Sequence, residues 1–124
     1  MTQPIRVLIA DDSTRAREGL RVLFATWPEI MVVGEATDGQ EAVRLVAESR
    51  PDVVLMDVQM PVLDGVQATR QIKQQWPTVT VIVLTMYAGE QSIALAAGAS
   101  AFIIKGSAPE RLLSAMGIHT GAQS

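Results

Sequence analysis

Five side chains able to take part in chemistry stand at the ends of apolar runs. Asp11 and Asp12 follow residues 5–10, Asp57 closes the run 53–57, Thr85 follows 79–84, and Lys105 follows 101–104. Short apolar runs rich in β-branched residues are typical of strands buried on both faces, as in parallel sheets. The carboxyl ends of such strands meet at one edge, where ligands bind. We therefore expect three carboxylates, a hydroxyl and an ammonium group to converge there.

The predicted cluster combines groups that suit a phosphoryl group. Three neighbouring carboxylates repel one another, and a divalent cation such as Mg²⁺, which prefers oxygen ligands, relieves that repulsion. The Lys105 ammonium and the Thr85 hydroxyl match the equatorial oxygens of a phosphoryl group. Asp57, on the predicted central strand, is then either the nucleophile or the central ligand of the metal.

The rest of the chain alternates strands with amphipathic helices. Strands are predicted at 5–10, 31–36, 53–57, 79–84 and 101–104, and helices at 14–25, 41–49, 65–75, within 86–97, and from 107 onward. In the first helix, apolar residues recur at Ala16, Leu20 and Phe24, and Ser13 precedes them as a cap. Five strands alternating with five helices predict a parallel sheet covered on both faces, with 31–36 as an edge strand.

The composition excludes several other classes of protein. With 124 residues, 48% of them hydrophobic and 19% charged, the chain suits one globular domain with a proper core. It has no cysteine, which excludes disulfide scaffolds, thiol nucleophiles and cysteine zinc sites. The net charge of −3 argues against nucleic-acid binding by this segment. We expect neither a signal peptide nor a membrane-spanning segment.

Together with Met60-Pro61, Asp64-Gly65 and the stretch Gly98 to Phe102, these residues resemble the response regulator receiver domain of two-component signalling. The segments 84–87 and 98–102 are most similar to the NarL/FixJ subfamily. The resemblance implies an α/β, flavodoxin-like (CheY-like) three-layer sandwich, with five parallel strands in the order 2-1-3-4-5 and five helices. It places the receiver domain at 4–119 and a polar C-terminal tail at 120–124. We expect no output domain within these 124 residues, and therefore either a single-domain regulator or the regulatory domain of a DNA-binding transcription regulator.

The resemblance also assigns roles to individual residues. Asp57 would accept a phosphoryl group from a sensor histidine kinase or a phosphotransfer protein. Mg²⁺ or Mn²⁺ would be bound by Asp11, Asp12, Asp57 and the backbone carbonyl of Gln59, and the phosphoryl oxygens by Thr85 and Lys105. Thr85 and Phe102 would form the switch, and Gln59 and Tyr87 would tune hydrolysis. The domain would be cytoplasmic, would catalyse only its own phosphoryl transfer and autodephosphorylation, would bind neither nucleic acid nor membrane, and would form a homodimer on phosphorylation.

Two departures from the family pattern concern the second half of the chain. Gly106 follows Lys105 where many relatives have proline, so the loop after Lys105 is expected to differ. The segment from Thr85 to Gly98 is about two residues shorter than usual. We therefore predict a short, mobile fourth helix, confined to about 90–97, with Ile93, Ala96 and Ala97 facing inward.

Alternative functions remain open from sequence. An aspartyl phosphatase of the haloacid dehalogenase type would need Asp-x-Asp, and position 59 is Gln. A degenerate receiver that takes no phosphate would act as a protein-interaction module. Arg15, Arg17 and Arg21 form a basic side on the first helix, which is either a solvated face or a kinase-docking surface.

Overall fold

The computed structural model describes residues 3–118, in which five parallel strands alternate with five α-helices. The strands are β1 (Ile5–Ala10), β2 (Ile30–Ala36), β3 (Val53–Asp57), β4 (Thr80–Thr85) and β5 (Ala101–Ile104). The helices are α1 (Thr14–Ala25), α2 (Gly39–Ser49), α3 (Gly65–Gln75), α4 (Gln91–Ala96) and α5 (Pro109–Ala115). A 3₁₀ turn, Ala88–Glu90, directly precedes α4. The predicted polar tail, 120–124, lies outside the described residues.

The sheet has the predicted strand order, β2-β1-β3-β4-β5, and every neighbouring pair is parallel. One row of the sheet runs from Ile9 through Leu55 and Ile82 to Ala101. With this register the carboxyl ends of the four strands that carry the candidate residues line up side by side. The strand β2 lies at an edge, also as predicted.

Two apolar layers enclose the sheet, which explains why the strands are apolar on both faces. On one face, Phe24 of α1 and Leu113 of α5 belong to one buried cluster. On the other face, Val46 of α2, Ile72 of α3 and Ala94 of α4 belong to a second. The result is the three-layer sandwich expected from the sequence.

The first three helices begin at side-chain caps, whereas the last two do not. The side chains of Ser13, Asp38 and Asp64 accept hydrogen bonds from backbone N–H groups in the first turns of α1, α2 and α3, at 3.1, 2.8 and 2.9 Å. Such caps satisfy amide donors that otherwise have no partner in the helix. No side chain caps α4 or α5. The Ser13 cap confirms the sequence prediction for α1.

The prediction of a short fourth helix is confirmed, but its predicted inward face is partly wrong. The helix α4 has only six residues, and Ala94 and Ala97 are the buried ones. Ile93 is 56% exposed, and Ala96 is also exposed. Residues 93–97 are all apolar, so the sequence pattern does not specify which side of α4 faces the core, and the fold leaves the larger side chains of Ile93 and Leu95 exposed.

Candidate functional site

The ends of four adjacent strands position the candidate site. Asp57 is the last residue of β3 and Thr85 the last residue of β4. Asp11 directly follows β1, and Lys105 directly follows β5. Since these strands are neighbours in the sheet, side chains from opposite ends of the sequence meet at one edge.

Three carboxylates gather at this edge, as predicted. One oxygen from each of Asp11, Asp12 and Asp57 lies within 4.8 Å of the other two. Asp11 and Asp57 are only 3% and 5% exposed, whereas Asp12 is open to solvent. Clustered carboxylate oxygens with one open side suit a hard divalent cation that keeps part of its water shell. The donor set therefore fits Mg²⁺.

Lys105 reaches this acidic cluster from the far side of the sheet. Its Nζ donates a hydrogen bond to Asp11 Oδ2 at 2.7 Å and lies 3.4 Å from Asp57 Oδ1. The backbone N–H of Lys105 donates to the carbonyl of Thr85 at 2.8 Å, which fixes the loop. Gly106 takes a left-handed conformation with φ +91°, and the peptide bonds of residues 3–118 are all trans. Glycine is well suited to that conformation.

The electrostatics of the cluster favour a cation. Burial, reinforced by repulsion from Asp11, raises the pKa of Asp57 from 3.8 to about 6, although Lys105 opposes the shift. Burial alone would lower the pKa of Lys105, but its contacts with Asp11 and Asp57 outweigh burial and raise it. An added positive charge beside Asp57 would therefore stabilise the ionised carboxylate.

The loop after Asp57 is held against the strand by Gly65. A Cβ atom on Gly65 would lie 2.0 Å from the carbonyl oxygen of Asp57, so no larger residue fits there without a backbone shift. The Gly65 N–H donates to the Val58 carbonyl at 2.9 Å. The start of α3 is thereby packed directly on the backbone of the candidate acceptor. Val62 in the same loop has φ +70°, an unfavourable conformation for a β-branched residue.

A polar contact that the sequence analysis missed lies beside Asp57. The Thr85 hydroxyl donates to Glu90 Oε1 at 2.6 Å, and the Gln59 amide donates to Glu90 Oε2 at 3.0 Å. Thr85 itself is fully buried. An acidic residue in the first turn of a predicted helix is a signal that would have drawn attention to Glu90. Its partners depend on the loop geometry, which the sequence pattern does not specify.

The other predicted residues surround this contact. Tyr87 is 58% exposed, and its backbone N–H donates to Thr85 Oγ1 at 3.3 Å. Phe102 is partly buried and packs against the core cluster shared by α2, α3 and α4. Its register partner on β4 is Val83, two residues before Thr85.

Two of the three arginines on the predicted basic side of α1 share one acidic partner. Arg17 and Arg21 both pair with Glu35, at 3.0 and 2.7 Å. Arg17 also donates to the Asp11 carbonyl at 2.7 Å, which ties α1 to the candidate site. These pairs favour the interpretation that Arg17 and Arg21 stabilise the fold, and they leave less positive charge for a docking partner.

The chain is similar to known proteins both in sequence and in structure. The sequence profile of the "Response regulator receiver domain" family matches residues 7–117. The "Uncharacterized transcriptional regulatory protein YhcZ" of Bacillus subtilis is 45% identical over 119 residues, which cover 94% of this chain and 56% of that protein. A crystal structure of a LuxR-family two-component response regulator from Aurantimonas sp. SI85-9A1 matches with TM-score 0.85 and 34% identity, over 97% of this chain and 91% of that one.

A further match comes from the CheX–CheY–BeF3–Mg²⁺ complex of Borrelia burgdorferi. The TM-score is 0.85 at 29% identity, over 92% of this chain and 87% of that one. The chain spans about half the length of the curated regulators it matches. Among residues 3–118, no helix is both long and apolar enough to cross a membrane.

Proposed function

Because this chain belongs to the response regulator receiver domain family of two-component signalling, we propose that it is a switch controlled by phosphorylation of Asp57. The donor would be the phosphohistidine of a sensor histidine kinase or of a phosphotransfer protein. The observation that carries the proposal is the convergence of Lys105 and two further carboxylates on the buried Asp57. A carboxylate whose only role was to end a strand would not require a lysine and two further carboxylates beside it.

The chemistry follows from the groups at the sheet edge. An Asp57 carboxylate oxygen would bond to phosphorus while the phosphorus–nitrogen bond of the donor breaks and the imidazole nitrogen keeps the electron pair. Lys105, whose Nζ is 3.4 Å from Asp57 Oδ1, would offset the charge of the incoming phosphoryl oxygens. The Thr85 hydroxyl would donate a hydrogen bond to another of these oxygens.

A divalent cation completes the proposed site. Asp11, Asp12, Asp57 and the backbone carbonyl of Gln59 would hold Mg²⁺ or Mn²⁺. When bound, the ion would supply positive charge that offsets the acidic cluster and the transferring phosphoryl group. The Borrelia CheY complex, whose description includes BeF3 and Mg²⁺, supports this assignment.

Return to the resting state would be hydrolysis of the aspartyl phosphate. Water would add to phosphorus, the bond to the Asp57 oxygen would break, and the carboxylate and inorganic phosphate would be released. Gln59 and Tyr87 stand two residues after Asp57 and Thr85, and their side chains would tune this rate. Thr85 and Phe102 would carry the change of state away from the site.

The output of the switch would be transcriptional. The support is the set of curated relatives with regulatory names, including YhcZ. We propose residues 4–119 as the receiver domain of such a regulator, acting in the cytoplasm and forming homodimers when phosphorylated. The net charge of −3 favours a partner domain, rather than this one, as the DNA-binding element.

Incubation with acetyl phosphate and Mg²⁺, followed by intact-mass measurement, tests the acceptor. The wild-type chain should gain the mass of one phosphoryl group and lose it with time, and Asp57→Asn should gain none. Asp52→Asn is the matched control, because Asp52 precedes the same strand at its opposite end and its side chain accepts a hydrogen bond from Arg6 N–H at 2.9 Å, far from the candidate site.

Other outcomes would assign a different function. No mass change in the wild-type chain would favour a receiver that serves only as an interaction module. Continuous release of phosphate from many substrates would favour a phosphatase. Undiminished labelling of Asp57→Asn would show that the acceptor is another residue.

A further inference from the structure

Glu90 is a carboxylate that the proposed phosphoryl chemistry does not use, yet both of its oxygens are occupied. Oε1 accepts the Thr85 hydroxyl at 2.6 Å, and Oε2 accepts the Gln59 amide at 3.0 Å. Glu90 ends the 3₁₀ turn, and α4 begins at the next residue. One side chain therefore connects the end of β4, the loop after Asp57 and the start of α4.

The contact with Glu90 occupies the group that the phosphoryl transfer requires. A threonine hydroxyl has a single proton to donate, and Thr85 gives it to Glu90. The Thr85 oxygen also accepts the Tyr87 N–H, so the fully buried side chain is held from both sides. A hydrogen bond to a carboxylate is stronger than one between neutral groups. While it lasts, Thr85 cannot donate to a phosphoryl oxygen.

The start of α4 has few other anchors. No side chain caps this helix, and Ala94 and Ala97, its buried residues, are small. The apolar side chains of Ile93 and Leu95 are 56% and 44% exposed, so they contribute little packing. The position of the helix start therefore depends strongly on what Glu90 binds.

We propose that Glu90 is a latch that holds the unphosphorylated state and that negative charge arriving at Asp57 opens it. This inference rests on the proposed function of Asp57. A phosphoryl oxygen beside Thr85 would compete with Glu90 for the same hydroxyl proton, and two anionic acceptors this close together repel each other even when Mg²⁺ offsets part of the charge. Departure of the Glu90 carboxylate frees the Thr85 hydroxyl for the phosphoryl group and releases the 3₁₀ turn and α4. Charge at the acceptor is thereby converted into movement of a helix.

The latch makes a quantitative prediction, because a ligand that opens it has to overcome the closed state. The apparent affinity for the ligand equals the intrinsic affinity multiplied by the fraction of molecules that are already open. Removal of Glu90 should therefore tighten binding of a phosphoryl mimic. Since the closed state is held by a charge-assisted hydrogen bond, we expect a gain of roughly tenfold.

This affinity can be measured by titrating the isotope-labelled chain with beryllofluoride and Mg²⁺ and monitoring its backbone amide NMR signals. Glu90→Ala should bind roughly tenfold more tightly than the wild type. Glu90→Gln keeps the length of the side chain and one acceptor but loses the charge, so its gain should be smaller. Glu48→Ala is the matched control, because Glu48 pairs only with Arg44 on the surface of α2, and its affinity should equal that of the wild type.

A double-mutant cycle separates the latch from a general effect on α4. With Thr85→Val the latch has already lost its hydroxyl, so adding Glu90→Ala should change the affinity little. An equal gain from Glu90→Ala in both backgrounds would overturn the latch, because the effect would not pass through Thr85.

The remaining outcomes also decide between the proposals. If the wild-type chain binds beryllofluoride and Glu90→Ala binds it no more tightly, the latch is wrong and the acceptor site stands. If the wild-type chain does not bind beryllofluoride at all, the proposed function fails and the latch fails with it.

Discussion

The helices α3 and α4 both follow a strand that ends in a site residue, but they are anchored in opposite ways. The helix α3 has eleven residues, begins at the Asp64 cap, and presses Gly65 onto the backbone of Asp57. The helix α4 has six residues and no side-chain cap, and its start is tied to the site by the Glu90 side chain. Backbone packing fixes the first, and one removable polar contact holds the second.

This difference matches what the proposed function requires of each side of the site. A phosphoryl acceptor benefits from a rigid support that keeps its geometry fixed. A signal that leaves the site needs an element whose local stability is low enough to change. The sheet edge combines the two, because β3 and β4 are adjacent and their helices start within the same site.

Substitution at Gly65 should break the rigid side. Gly65→Ala would place its Cβ 2.0 Å from the Asp57 carbonyl oxygen. The backbone would have to shift, and we expect a loss of about 3 kcal/mol or more in the free energy of unfolding, measured by urea denaturation. Gly19→Ala in α1 is the control, because a Cβ atom there would meet no atom within 4 Å. This substitution should stabilise the chain slightly. Equal stability of both variants would contradict the close packing at Gly65.

The packing of α3 and α4 can also be compared by replacing one isoleucine in each helix. Ile72 of α3 is fully buried and Ile93 of α4 is 56% exposed. Ile72→Ala should cost about 2–5 kcal/mol in the free energy of unfolding. Ile93→Ala should change it by no more than about 0.5 kcal/mol. A large loss from Ile93→Ala in urea denaturation would show that α4 is packed more firmly than its exposure indicates.

The ionised Asp57 carboxylate should destabilise the fold in the absence of a cation. Asp57 has a pKa of about 6 in the folded chain against 3.8 ordinarily, so the folded state binds more protons between these values. The contribution of Asp57 to stability is therefore lost as the pH rises through about 6. Asp57→Asn should match the wild type below pH 4 and exceed it at pH 7 by on the order of 1–3 kcal/mol.

Denaturation by urea across this pH range, with and without Mg²⁺, measures the effect. Added Mg²⁺ should stabilise the wild-type chain and narrow its gap to Asp57→Asn. If the difference in the free energy of unfolding between the two chains does not change from pH 4 to pH 7, the surroundings of Asp57 do not destabilise its ionised form.

The smallest predicted effect concerns the turn before α4. Amide hydrogen exchange in 88–97 should be faster than in 66–75, because so little side-chain area holds α4. Gly89→Ala, whose Cβ would meet no atom within 4 Å, should slow this exchange and stabilise the chain by about 0.5–1 kcal/mol. Full protection of 88–97 in the wild-type chain would show that α4 is as firmly held as α3.

The strands and the site residues at their ends were predictable from the sequence, because two simple patterns determine them. Continuous apolar runs indicate strands buried on both faces, and the parallel arrangement then brings Asp11, Asp57 and Lys105 to one edge. The inward face of α4 was predicted wrongly at Ile93 and Ala96, because residues 93–97 are all apolar and their pattern does not specify a buried side. Glu90 was also missed, because its hydrogen-bond partners depend on the conformation of a loop that the sequence pattern does not specify.

The contact between Lys105 and Asp11 joins residues 94 positions apart. Long-range contacts of this kind dominate slow folding, because a long chain segment has to close before any of them forms. In the sheet, β3 and β4 lie between β1 and β5, so the contact between Lys105 and Asp11 depends on both of these strands. A nascent or partly unfolded chain is therefore expected to lack the complete candidate site, so that phosphorylation of Asp57, as proposed, would mark only molecules that have folded.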